Sequence, residues 1–255
     1  MGKRFRTVYM TAILIFLYLP ILVVVLYSFN PSKTAGVMTG FTLSWYRELF
    51  ADGEIARTLG NSLKVACISV AAAGIIGTLG AVALARRHLK LQGLMEGLSS
   101  LPIMIPEIVL AMAFLAAFTF VGLELGMLTL VLAHITFCIP YIFIIVKGRL
   151  AALDISLEEA ARDLGAPPLR VFRDITFPLV FPAVLAGMLL AFAMSLDDVI
   201  ISFFVTGPGA QTLPLKIYSS LKVGVKPKIN ALCTLMLGVV FLFVGVSQWI
   251  RAKKT

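Results

Sequence analysis

Charge is scarce in this chain. Asp, Glu, Lys and Arg make up 14% of its 255 residues and hydrophobic residues 60%, where a soluble domain carries about a quarter charged residues. The mean hydropathy of +0.99 points the same way, to a polytopic membrane protein. Cysteine occurs only at Cys67, Cys138 and Cys233. These three lie far apart, each inside an apolar segment, which argues against a disulfide framework and against a CxxC metal or redox pair. Of the two histidines, His134 has no second histidine nearby to share an ion, so it reads as a helix–helix hydrogen-bonding residue and no metal site is expected. No HExxH or GxSxG constellation is present, which removes the common hydrolytic enzymes. The formal charge of +9 falls in short clusters beside apolar runs, with no basic face carrying spaced aromatics, and this excludes nucleic acid as the partner.

Long apolar runs dominate what remains. A spanning helix needs about 20 apolar residues, and six stretches qualify, near residues 8–29, 62–85, 98–120, 127–146, 179–200 and 231–250. The first follows a basic head but is too long for a signal peptide and lacks a small-residue cleavage site, so it is expected to be retained. Six spans place both termini on one side. With the termini inside, the inner segments hold Lys3, Arg4, Arg6, Arg86, Arg87, Lys90, Lys147, Arg149, Arg162, Arg170, Arg173, Arg251, Lys253 and Lys254, 14 of the 22 Lys and Arg. That excess predicts cytoplasmic termini, although Lys216, Lys222, Lys226 and Lys228 on the outer side narrow it. In the outer loop 30–61, Phe41, Trp45 and Leu49 recur at the spacing of an interfacial amphipathic helix.

The inner loop 147–178 contains "LDISLEEAARDLGAPPLRVFRDITFPLVFPAV". It is polar and helix-forming to Leu164, then stopped by Gly165, Pro167 and Pro168. This predicts a short cytoplasmic helix, a turn and a return to the membrane. Glu159-Ala160-Ala161, then Gly165, then Ile175 and Phe177-Pro178 resembles, at matching spacing, the EAA signature of ABC importer permeases. Phe177 stands where the family pattern has Leu, which keeps an apolar side chain. The wider segments "GFTLSWYRELF", "LAHITFCIPYIF", "AMSLDDVIISFFVTGPG" and "LPLKIYSSLKVGVKPKINAL" look like the second permease subunit of spermidine/putrescine importers, over essentially the whole chain. Related permeases for ferric iron, sulfate, thiamine and phosphonates share the architecture and stand as alternatives within the class.

The resemblance implies one all-α permease domain over residues 1–255 with the type I ABC importer fold, in the bacterial inner membrane. It also implies a heterodimer with a homologous permease, two ATP-hydrolysing subunits and an extracytoplasmic polyamine-binding protein. Glu159, Ala160, Ala161 and Gly165 are then the residues of a coupling helix that docks on the ATPase. Paired alanines permit close approach, and Gly165 permits the turn. The chain has no GxxxxGK[ST] loop, so ATP and Mg belong to the partner subunits, and no cofactor is expected on this one.

Carboxylates at bilayer depth are the second clue. Three of the 13 acidic residues fall in spans or at their ends, Glu107, Asp197 and Asp198, and a carboxylate there normally faces a bundle interior or a water-filled path. Ala183, Gly187, Ala191 and Ser195 form a small-residue stripe on the fifth span, for a close helix or a ligand. If the helix persists, Asp198 falls about 60° round from Ala183, on that stripe with Ser195, and Asp197 off its edge. The alternative is that one aspartate caps a helix or pairs with a loop lysine such as Lys216. Glu107 lies beside Pro102 and Pro106, which are expected to bend the third span and open a cavity or free backbone groups. Trp45 and Tyr46 are candidates for cation–π contacts with an ammonium, or for interfacial anchors. Together, Asp198, Asp197, Glu107, Ser195, Trp45 and Tyr46 are the expected substrate path. A self-contained ion-coupled transporter or channel is the competing class, but it predicts inverted repeats, and none is evident in this sequence.

Overall fold

The computed structural model describes residues 2–32, 37–86, 92–224 and 226–252, with the side chains of Lys3, Arg86 and residues 243–252 outside that description. Arg87, Lys90, Lys253 and Lys254, used above for orientation, lie outside the described residues. Among the described residues the regular secondary structure is helical throughout. The backbone forms two compact units, Met1–Arg57 with Lys216–Thr255, and Thr58–Leu215.

In the first unit, α1 (Lys3–Tyr27) packs on α12 (Pro227–Ala252), and α12 on α2 (Ser44–Ala51). Helix α1 is apolar on every side and buries none of its hydrophobic window, the pattern of a helix solvated by lipid. Trp45 and Leu49 of α2 are buried, as their spacing predicts, but Phe41 precedes the helix and stacks on Phe29 with ring centroids 5.0 Å apart. The expected loop 30–61 is shorter than read, because α3 (Gly53–Arg86) already begins at Gly53.

The second unit is organised around α6 (Met127–Ala151) and α9 (Phe177–Asp197), which share the most extensive helix contact. Leu130, Ala133, Phe137, Cys138, Ile142, Val146 and Leu150 recur at helical spacing on α6 and meet Val180, Val184 and Ala191 of α9. The small-residue stripe explains the closeness. A Cβ on Gly187 would stand 3.0 Å from Ile142 Cα, and one on Gly77 of α3 would stand 3.1 Å from the Ile139 carbonyl oxygen. The stripe on α9 therefore serves helix packing rather than leaving room for a ligand. Between α6 and α9 lie α7 (Ser156–Asp163), α8 (Pro168–Val171) and a π-helical turn at Phe172–Thr176.

Among the described residues, four helices are long and apolar enough to cross a membrane: Arg4–Tyr27, Gly53–Ala85, Met127–Ala151 and Pro168–Asp197. A fifth crossing is made only by counting α4 (Gln92–Met104) and α5 (Glu107–Val121) together, bent by 108°. The third expected span, 98–120, is thus corrected from a bent helix to a broken one. Pro106 has no N–H to continue the α4 ladder and holds φ −52°, ψ 130°, so the chain leaves helical geometry and restarts at Glu107. The fifth span, 179–200, is corrected too. Helix α9 stops at Asp197, Asp198 is extended at φ −63°, ψ 128°, and a new helix α10 (Ile200–Val205) follows. The sixth expected span, 231–250, falls on α12, which is apolar over Pro227–Leu242.

Candidate functional site

The break after Asp197 is where the polar residues of the second unit converge. Asp198 replaces helical continuity with its own side chain: Oδ1 accepts from the Ile201 N–H at 3.0 Å, and Oδ2 from the Ser202 N–H at 2.8 Å and the Ser202 hydroxyl at 2.6 Å. From the position before Val199, its side chain caps α10 by satisfying donors that open the helix. The expected face at about 60° therefore does not exist for this residue, since the helix used for that angle has ended. His134, with no exposed surface, reaches across from α6. Its Nδ1 is 2.8 Å from Ser195 Oγ, and its Nε2 is 3.3 Å from Ser202 Oγ and 3.4 Å from Asp198 Oδ2.

The proton positions follow from the partners. Ser202 gives its only hydroxyl proton to Asp198, so it can only accept from His134, which places a proton on Nε2. Nδ1 shares a hydrogen bond with the Ser195 hydroxyl. Ser195, His134, Ser202 and Asp198 form one hydrogen-bonded chain joining α6, α9 and α10. The side chain of Asp198 is only 1% exposed, and Asp197 beside it is exposed.

Glu107 opens α5, where a negative side chain complements the positive end of the helix. It lines a cavity of about 240 Å³ beside the broken span, together with Phe137, Tyr141, Leu110, Met194 and Ile201. Glu107 lies within electrostatic reach of Asp198, Asp197 and Tyr141. Phe137 makes a T-shaped contact with His134, with centroids 5.0 Å apart, so one wall of the cavity rests on the buried network. Tyr141 and Phe137 went unremarked in the sequence, although their spacing of four on α6 puts them on one face.

The model of the binding-protein-dependent transport system inner membrane component matches residues 73–252. The chain belongs to this family. It is a multi-pass inner-membrane permease subunit of an ABC importer, not the catalytic component, and such permeases work with ATPase and binding-protein partners. It is 42% identical over 254 residues to the spermidine/putrescine transport system permease protein PotC of Escherichia coli (strain K12), covering 100% of this chain and 96% of that protein. It is 44% identical over 250 residues to the putrescine transport system permease protein PotI of the same strain, covering 94% and 88%. A chain in the crystal structure of a bacterial ABC transporter that imports the acidic polysaccharide alginate superposes with TM-score 0.75 over 98% of both chains, at 16% identity. That likeness establishes the permease fold and leaves the cargo to the chemistry of the site.

In the permease, the 147–178 loop turns at Gly165, whose φ of +82° suits glycine. Glu159 and Ala160 are exposed and Ala161 is half-buried, beside exposed Leu157 and Leu164. Glu158, passed over in the sequence, is the inward carboxylate: it is buried, accepts from the Thr176 hydroxyl at 2.8 Å and faces Arg162 at 3.7 Å. Asp154 accepts from the Ser156 N–H at 3.0 Å, and this bond holds its carboxyl below the usual range.

Trp45 and Tyr46 belong to the first unit. The Trp45 indole donates to the Asn30 carbonyl at 2.8 Å, and the Tyr46 hydroxyl lies 2.7 Å from Ser28 Oγ, with its ring 5.4 Å from Phe29. Trp45 is 9% exposed and its donor is taken, so in this conformation it fixes the segment after α1. Lys216, named above as a partner for an aspartate, pairs instead with Glu54 at 2.7 Å.

Proposed function

We propose that this chain is the membrane permease of an ATP-driven polyamine importer, passing spermidine or putrescine from a binding protein to the cytoplasm by alternating access. The observation that carries the reading is a carboxylate, Glu107, on a small aromatic-walled cavity in an apolar bundle, with Asp197 and Asp198 within electrostatic reach. Carboxylates in such a setting are kept for a cation path. Full-length identity to polyamine permeases supports the same cargo.

In this reading Glu107 and Asp197 meet the cation, while Asp198 and Ser195 set the charge and shape of the wall. The chain forms one permease domain with six spans and cytoplasmic termini, α4 with α5 supplying the third and α12 the sixth. It pairs with a homologous permease, and Glu159, Ala160, Ala161 and Gly165 dock on the ATPase. A complex reconstituted with the partner permease, the ATPase and the binding protein accumulates spermidine only with ATP. Equal accumulation with a hydrolysis-dead ATPase, or uptake of sulfate in place of polyamine, refutes the proposal.

A further inference from the structure

Glu107 by itself does not select a polyamine from any other cation; the surfaces opposite it do. Around the cavity, Phe137 and Tyr141 offer two rings one helical turn apart on α6, and Leu110, Met194 and Ile201 supply apolar wall. Among the described residues that line it, Glu107 is the single charged one. Its volume of about 240 Å³ is below the roughly 300–1,000 Å³ of sites for drug-sized ligands. Such a site fits one end of a chain molecule rather than a bulky solute. A carboxylate and aromatic faces suit an ammonium, and the aliphatic remainder suits a run of methylenes. A hydrated metal ion gains nothing from the aliphatic wall, and an anion is repelled by Glu107.

We infer that Tyr141 and Phe137 form the cation-holding face of a primary-ammonium subsite, with Glu107 as counter-ion and Leu110, Met194 and Ile201 against the adjoining methylenes. This rests on the polyamine reading. Tyr141 and Glu107 line the same cavity, so one ammonium can face both. Phe137 is fixed from behind by its T-shaped contact with His134. The subsite is thereby tied to the Ser195–His134–Asp198 chain without Asp198 itself, whose oxygens are occupied, touching the cargo.

The test uses the complete importer in proteoliposomes, with saturating spermidine-loaded binding protein and turnover normalised to assembled complex. Tyr141→Leu removes the ring and is expected to lower turnover by roughly 2- to 30-fold, the range of a single cation–π contact. Graded fluorination of a phenylalanine at 141 withdraws charge from the ring face at nearly constant size, and is expected to lower turnover stepwise, which a purely packing role would not do. Turnover within twofold of wild type for Tyr141→Leu, or no trend on fluorination, overturns the subsite while leaving the cargo assignment standing. If Tyr141→Leu fails to assemble, the fluorination series alone decides. Failure of the unaltered complex to take up spermidine overturns the polyamine reading beneath it.

Discussion

His134 Nδ1 lies 2.8 Å from Ser195 Oγ, and this one bond joins α6 to the last turn of α9 just before that helix ends. The opposite nitrogen of the same ring faces Asp198 and Ser202. Imidazole is the side chain that can serve both sides at once, accepting on one edge and donating on the other.

Replacing His134 by Ala leaves the Ser195 hydroxyl and one side of Asp198 without their partner. Each buried polar group stranded in this way costs about 1–3 kcal/mol, so the variant is expected to melt several degrees lower and to assemble less. Detergent-solubilised thermal unfolding measures this. An unchanged midpoint would show that the network contributes nothing.

Asp198→Asn and Glu107→Gln separate two kinds of carboxylate. Read from the sequence, Asp198→Asn would be a pure transport defect; the geometry changes that expectation. Both Asp198 oxygens accept, and an amide NH2 in either place turns a donor toward donors. Asp198→Asn is expected to lower stability together with uptake. Glu107→Gln, on the cavity wall, is expected to assemble normally and transport at least about tenfold more slowly, a difference of about 1.4 kcal/mol. Uptake per assembled complex, set beside a thermal midpoint, distinguishes the two.

Adjacent glutamates on α7 are expected to behave in opposite ways. Glu158→Ala removes the nearer partner of the buried Thr176 hydroxyl, leaving only the Val171 carbonyl at 3.5 Å, and is expected to destabilise the loop by about 1–3 kcal/mol. Glu159→Ala touches an exposed position and is expected to leave folding intact but to uncouple ATP hydrolysis from transport. The ratio of ATP hydrolysed to spermidine imported is the readout, and an unchanged ratio for Glu159→Ala removes that residue from the coupling surface.

In the first unit, Lys228 pairs with Asp52. That hydrogen bond, with help from the Glu54 and Ile55 N–H groups, holds the Asp52 carboxyl below its ordinary value near 3.8. A lowered folded value means the stabilisation is fully present above the unfolded value and fades as pH falls through the folded one. Lys228→Ala is therefore expected to lower the thermal midpoint at pH 7 and to lose that difference as the pH is taken below about 4. A difference between the two proteins that stays constant from pH 7 to pH 3 would contradict the pairing.

Membrane character was legible because the requirement is one-dimensional: a run of apolar residues of sufficient length needs no knowledge of its neighbours. The EAA spacing was legible for a similar reason, being local. What escaped depends on the third dimension or on a signal overridden by length. "DDVIISFF" carries a capping aspartate before an apolar run, a helix-start signature, yet it sits inside a run long enough to read as one span. Glu158 was hidden by its neighbour in the motif, although Arg162 lies four residues on at ion-pair spacing. Phe137 and Tyr141 look like any aromatic pair in a lipid-facing run until α4 and α5 break apart and leave a cavity before them.

That break also bears on biogenesis. The 13 residues of α4 and the 15 of α5 rise about 20 Å and 23 Å, and neither reaches across a hydrocarbon core of about 30 Å. As the chain is synthesised, neither half can be committed to lipid by its own length, and the backbone at Ile105 and Pro106 has to be sheltered by protein or by the cavity it lines. Helix α6 supplies the partner: its Lys147 pairs with Glu96 of α4 at 2.7 Å. Insertion of this segment is therefore expected to depend on the helix that follows it, and a nascent chain stopped before α6 is expected to hold the segment in lipid less firmly than one that includes α6.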